Sequence, residues 1–251
     1  MVNIDSYSKN NHRVKLVYHI LLLVWIIPEY SFGKEIENAT AKAQLIAQRN
    51  AVLLDSVNQL LIVFNENPEQ NTAVLVALEK KDKIWKTVFA PMQTGIGHKG
   101  FAAFGFKREG DQMSPSGFFR LGQLFCYDRE VDTRMPFIQT SPEDKWIDDP
   151  DSPDYNRYVR GNTHAKSFEK LLLNGNDYRY CMVIGYNTHP VVKGNGSAIF
   201  MHLSEGKVLN SSAGCIVLLQ SDMEQLLRWM EPDLKPSILM GTDRVLMQKL
   251  K

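Results

Sequence analysis

The spacing of apolar residues predicts a mainly β protein with few helices, folded as a single domain over residues 51–243. Three observations carry that expectation. Short runs rich in Val, Ile, Leu and Phe recur between residues 51 and 90, separated by Asn, Glu, Pro and Lys. A second group of such runs returns between residues 177 and 219. Within this span only one segment, residues 221–230, keeps a helical period.

Taken in order, residues 1–33 stand apart. His12, Arg13 and Lys15 precede the apolar stretch "LVYHILLLVWII" (16–27), followed by Pro28 and the small residues Ser31 and Gly33. A basic start, a short apolar run and small residues fit a secretory signal peptide cut before Lys34. The run is too short to span a bilayer, which needs about 20 apolar residues. The expected location is therefore periplasmic or secreted, with no stable membrane span after processing.

Residues 34–50 form an N-terminal linker in which Ile36, Ala39, Ala43, Ile46 and Ala47 follow a helical spacing, predicting a short surface helix. "AVLLD" (51–55), "QLLIVFN" (59–65), "TAVLVALEK" (72–80) and "KIWKTVFA" (83–90) then read as an antiparallel meander. Residues 91–122 and 140–164 read as loops, the second acidic. "DYRYCMVIGYN" (177–187), "AIFMHL" (198–203) and "CIVLL" (215–219) read as three strands. In "SDMEQLLRWM", Ser221 and Glu224 stand at capping-box positions, and Pro232 and Pro236 end the helix. "SILM" (237–240) is a last strand, and residues 244–251 are a tail.

The net charge of +1 gives a nucleic-acid partner no electrostatic support. Without residues 1–33 the chain is formally neutral. Export would expose three cysteines to an oxidising compartment. Cys126 and Cys181 could pair and leave Cys215 free, or all three could be thiols.

Cys215 deserves comparison with His202, which closes one strand-like run thirteen residues before Cys215 opens the next. An imidazole within hydrogen-bond reach can take the thiol proton and leave a thiolate–imidazolium pair as nucleophile. Neighbouring strands deliver that geometry if both side chains project from one face. Gly214 permits a sharp backbone turn, and the amides of Gly214 and Cys215 are candidate donors to an oxyanion.

The segment "GSAIFMH…SSAGC", followed by the capped helix and the Pro-bounded final strand, resembles the catalytic domain of YkuD-type L,D-transpeptidases. Ser114-Pro115-Ser116-Gly117-Phe118-Phe119 is similar to that family's Thr-Pro-x-Gly-x-Phe segment, and "WIDDPDSPDYNRYV" and "DYRYCMVIGYN" resemble one of its branches, in which alanine often precedes Gly-Cys. The resemblance runs over residues 51–243 and implies a single β-sandwich or open-barrel domain. It implies Cys215 as nucleophile, His202 as general base, and an oxyanion loop of Gly214, Cys215 and Ala213 shaped by Ser212. The implied partner is a peptidoglycan stem peptide and the implied reaction an acyl transfer through a thioester, with no cofactor or metal. Water as acceptor would make the protein an L,D-carboxypeptidase, and loss of chemistry would leave a non-catalytic wall-binding domain.

Two departures bear on substrate binding. Ala213 replaces the family's common histidine, and Val217 stands near a position where many members carry an arginine or asparagine. Arg108, Arg120 and Lys107 are the candidate replacements for that missing cation. "GIGHKG" (95–100) reads as a turn that matches no phosphate-binding fingerprint, with His98 a candidate substrate-lining residue. "DDPDSPD" (148–154) lacks the glycine and glutamate of a calcium loop. Glu109 and Asp111 read as structural, and Trp146 and Trp229 as packing residues.

Overall fold

The computed structural model describes residues 27–250, with side chains described from Glu37 onward. The expected signal segment therefore lies outside the described residues up to position 26. Contacts along the chain separate Met1–Asn38 from one compact unit, Ala39–Lys251, which holds the sheet. Among the described residues, no helix is long and apolar enough to cross a membrane.

The elements are α1 (Ile27–Arg49), then β1 (Gln59–Asn65), β2 (Thr72–Lys81), β3 (Ile84–Thr87), β4 (Met92–Gly95), β5 (Gly117–Cys126) and β6 (Phe137–Gln139). β7 (Asp144–Ile147), β8 (Tyr158–Arg160), β9 (Phe168–Lys170), β10 (Tyr180–Ile184), β11 (Phe200–Leu203) and β12 (Ile216–Leu218) follow. The chain ends with α2 (Gln220–Trp229), β13 (Ser237–Thr242) and α3 (Asp243–Leu246).

The mainly β expectation holds, and the sheet closes on itself. Its order is β1-β13-β5-β10-β11-β12-β4-β2, and β2 pairs back onto β1. Closure leaves these eight strands without a free edge, β3 and β6 are added on β2 and β5, and alternation sorts side chains inward and outward. Leu61, Leu75, Met92, Leu124, Met182, Met201, Ile216 and Ile238, from all eight strands, share one interior core. α2 adds Met223, Leu226, Leu227 and Met230 to that core.

Two outer faces are covered. Ala43, Ile46 and Ala47 are fully buried against Leu60, Ile62, Val76, Leu78 and Leu239. The helix expected on the surface is therefore a packing helix, and α1 begins at Ile27 rather than near residue 35. On the other side, a three-stranded sheet of order β8-β7-β9 carries Trp146 onto Phe125, Cys181, Val183 and Phe200. Asp144 anchors this small sheet; its buried carboxylate accepts from Arg160, Tyr158 and Ser141, which hold it well below the usual carboxylate range despite burial.

Several local expectations are corrected. Residues 51–55 form turns, not a strand, and Val52 is almost fully exposed. The loop-like stretches 91–122 and 140–164 contain β4, the start of β5, β7 and β8, all short and interrupted by polar residues. α2 starts at Gln220 with Leu219 as an N-cap that offers no side-chain bond, so Ser221 caps nothing; Gln220 instead donates to Glu224. Of the two arrangements left open for the cysteines, the structure has the all-thiol one: Cys126, Cys181 and Cys215 are free. In the β5–β10 ladder Cys126 stands opposite Tyr180 and Cys181 opposite Phe125. Alternation therefore sends the two thiols to opposite faces, Cys126 to the interior core and Cys181 beneath the small sheet.

Candidate active site

β11 and β12 run parallel, with His202 paired to Val217 and Met201 to Ile216. Cys215 precedes Val217 by two positions, so by alternation it projects from the same face as His202. That face is the outer one, under the small sheet, because Met201 and Ile216 point into the interior core. Both residues line one cleft of about 170 Å³, together with Lys107, Glu109, Glu169, Tyr178, Ala198 and the turn Ser212–Gly214.

The turn before Cys215 is held from three sides. The Ser212 hydroxyl donates to the Cys215 carbonyl at 2.7 Å and accepts from the Gly214 amide at 3.1 Å. The Ser212 backbone is clamped by Ile96 and His98. Ser114, from the segment resembling the family's Pro-Gly motif, donates from its hydroxyl to the Gly214 carbonyl at 2.8 Å. Gly214 has φ +153°, and a Cβ there would sit 2.9 Å from the Met113 carbonyl oxygen. Only glycine fits this position without strain.

The thiol and the imidazole are not hydrogen-bonded to each other. Cys215 Sγ donates to the Ala198 carbonyl at 3.3 Å and accepts from the Phe200 amide at 3.3 Å. His202 Nδ1 lies 2.9 Å from the Leu203 carbonyl, which can only accept. The proton is thereby assigned to Nδ1 and the lone pair to Nε2. The Tyr178 and His202 rings form a T-shaped pair with centroids 5.1 Å apart.

Burial pushes the Cys215 thiol up to about 12 and the His202 imidazole down to about 4. The resting pair is therefore neutral, in contrast to the thiolate–imidazolium pair that the sequence suggested. Thiol–base contacts of this kind commonly tighten only when substrate binds.

The expected oxyanion loop is also redistributed. The Gly214 amide is engaged by Ser212, whereas the amides of Ala213 and Cys215 have no acceptor among the described residues. Three other candidates are not brought to the cleft. Arg120 reaches Ser56 and Ser237, and Arg108 folds back on the carbonyls of Gly105 and Lys107. His98 is exposed and bonds Ser211. Lys107 does line the cleft.

Sequence reasoning passed over Tyr178, Glu169 and the Ala198 carbonyl. Glu169 lies in a segment with no motif, and Tyr178 lies in "DYRYCMVIGYN", which is read for its branch resemblance and not for a role at the site. Ala198 adopts φ +52°, a conformation that nothing in "GSAIF" announces. It is held there by Asn156, whose side-chain oxygen accepts from the Ala198 amide and from Trp146 Nε1.

No curated protein sequence matches the chain. Among solved structures, the fold is similar to Bd1075 from Bdellovibrio bacteriovorus at 14% identity and TM-score 0.41, covering 74% of this chain and 48% of that one. It is similar to the helical cell shape determining protein Pgp2 from Campylobacter jejuni at 17% identity and TM-score 0.38, covering 84% and 56%. The K307A variant of Pgp2 matches at 16% identity and TM-score 0.38, covering 83% and 57%. The chain thus spans about half the length of these structures. The sequence model of the YkuD L,D-transpeptidase catalytic domain matches residues 61–245, from β1 into α3, and the chain belongs to that family.

Proposed function

We propose that this protein is an exported L,D-transpeptidase, a cysteine acyltransferase that works on peptidoglycan stem peptides. The observation that carries the reading is the pairing of β11 with β12, which puts Cys215 and His202 on one face and in one cleft.

The chemistry starts from neutral partners. Cys215 Sγ attacks the carbonyl that joins the third residue of a tetrapeptide stem to its terminal D-alanine. His202 Nε2 takes the thiol proton as the C–S bond forms, so no free thiolate has to be buried. The oxygen of the tetrahedral intermediate meets the free amides of Ala213 and Cys215; one such donor commonly contributes about 3–4 kcal/mol. The C–N bond then breaks, the imidazolium returns its proton to the leaving amine, and D-alanine departs. An acceptor amine attacks the thioester with His202 again as base, which forms a new amide and restores the thiol.

Incubating the protein with a carbapenem and weighing it intact tests the nucleophile. The expected result is one covalent adduct that is absent in Cys215→Ala. Product analysis with purified tetrapeptide muropeptides then tests the acceptor: cross-linked dimers support transpeptidation, tripeptides alone would replace it with hydrolysis, and neither would remove the catalytic reading. Export is tested by N-terminal sequencing of the envelope form, expected to begin at Lys34.

A further inference from the structure

Lys107 is almost wholly buried, at 4% exposure, yet it lines the cleft that holds Cys215. Among the described lining residues it alone carries a permanent positive charge. A buried lysine is costly unless its charge is met, so its surroundings indicate its use. Its Nζ donates to the Arg108 carbonyl and to Asp111 Oδ1, two of its three hydrogens. Asp111 is itself a loop staple, accepting from the Met113 amide at Oδ1 and the Arg108 amide at Oδ2. Its charge is shared with those amides, and Lys107 is fixed in place with a donor to spare.

The stem of Lys107 passes between two glycines. A Cβ built at Gly196 would lie 3.2 Å from Cε, and one at Gly214 would lie 3.7 Å from it. The ammonium is thus carried next to the residue that precedes the nucleophile. The acidic groups of the cleft are the carboxyls of Glu109, Asp148 and Glu169, which leaves Lys107 as its permanent cation: Glu109 accepts from Tyr155 and Ser197, and burial raises Glu169 above the usual carboxylate range. At the neighbouring position where a cation was sought, Val217 is buried and paired with Gly95.

We infer that Lys107 binds the C-terminal carboxylate of the leaving residue, and so selects donors that end in a free acid at the scissile bond. The inference rests on the stem-peptide reading above. Covalent geometry places that carboxylate carbon within about 4 Å of the carbonyl carbon that Cys215 attacks. A lysine beside Gly214 is at the right distance to meet it. An ammonium–carboxylate bond made with a buried lysine gives discrimination on the order of 30-fold or more between a free acid and its neutral isostere.

The test compares kcat/KM for a synthetic tetrapeptide stem and for the same peptide as its C-terminal amide, with wild type, Lys107→Met and Lys107→Arg. Methionine keeps the buried stem without the charge. Wild type is expected to favour the acid by about 30-fold or more, Lys107→Arg to keep most of that preference, and Lys107→Met to lose it, through the acid substrate alone. An unchanged preference in a cooperatively folded Lys107→Met variant would overturn the inference. So would equal rates for acid and amide with wild type, a result that needs no variant to fold. Wild type inactive on both peptides would instead remove the stem-peptide reading and this inference with it.

Discussion

The Cys215 thiol donates to the carbonyl of Ala198 rather than to His202, and Ala198 adopts φ +52° while offering that carbonyl. A non-glycine residue in that region is held there by its neighbours. The neighbour responsible is Asn156, itself at φ +57°, which fixes the Ala198 amide from one side and the carbonyls of Tyr186 and Asn187 from the other.

Asn156→Ala is therefore expected to cost about 2–4 kcal/mol, since it leaves buried donors and acceptors unpaired. Asn156→Asp keeps the oxygen that accepts from Ala198 and Trp146 and loses the two donated bonds. Urea unfolding monitored at the tryptophans would measure both, and wild-type stability in Asn156→Ala would refute the assignment of Asn156 as the support.

Gly214→Ala meets a backbone oxygen at 2.9 Å and a backbone conformation closed to alanine. The turn has to move, and the Ala213 and Cys215 amides move with it. Acylation by a carbapenem should slow by about 100-fold or more, with a stability loss of only ~1–2 kcal/mol. Ser114→Ala, which frees the Gly214 carbonyl, should give a milder form of the same defect. Equal acylation rates in all three proteins would show that the turn plays no part in catalysis.

The neutral thiol and imidazole predict two pH signatures. His202 titrates near 4 in the folded chain and near 6.5 unfolded, so the unfolded state binds more protons between those values. Stability should therefore fall as pH drops through that window, by about 1–3 kcal/mol, and His202→Gln should flatten the loss. Cys215 has the opposite sense: its raised value favours the folded thiol, and stability declines as pH rises above about 9. Iodoacetamide, which reports free thiolate, should alkylate the resting enzyme slowly at pH 7 and faster with each unit of pH. Fast alkylation at neutral pH would mean a preformed thiolate.

Removing the proposed base should cost far more in acylation than in fold. His202→Ala is expected to slow carbapenem adduct formation by about 10²–10⁴-fold while unfolding remains cooperative. An unaltered adduct rate would assign proton removal to another group in the cleft.

Denatured, unreduced protein should take up three thiol labels, one for each free cysteine. Two missing labels would indicate a disulfide, which the opposed faces of Cys126 and Cys181 do not permit without rebuilding the β5–β10 ladder.

Reading along the chain was enough to find most of the long strands, the late helix, and the two residues on which the chemistry is proposed to rest. Those features are local: an apolar run such as "QLLIVFN" becomes β1 residue for residue, and a Gly-Cys step after a strand-ending histidine is visible as text. Closure of the sheet through β1 and β2, the separation of Cys126 from Cys181, the burial of thiol and imidazole, and the placement of Lys107 rather than Arg108 or Arg120 in the cleft were not visible there. Each depends on which segments become neighbours and on how much water their packing removes. Residues as far apart as Ser114 and Gly214, or Asn156 and Ala198, acquire those neighbours when the barrel closes and the small sheet covers its face.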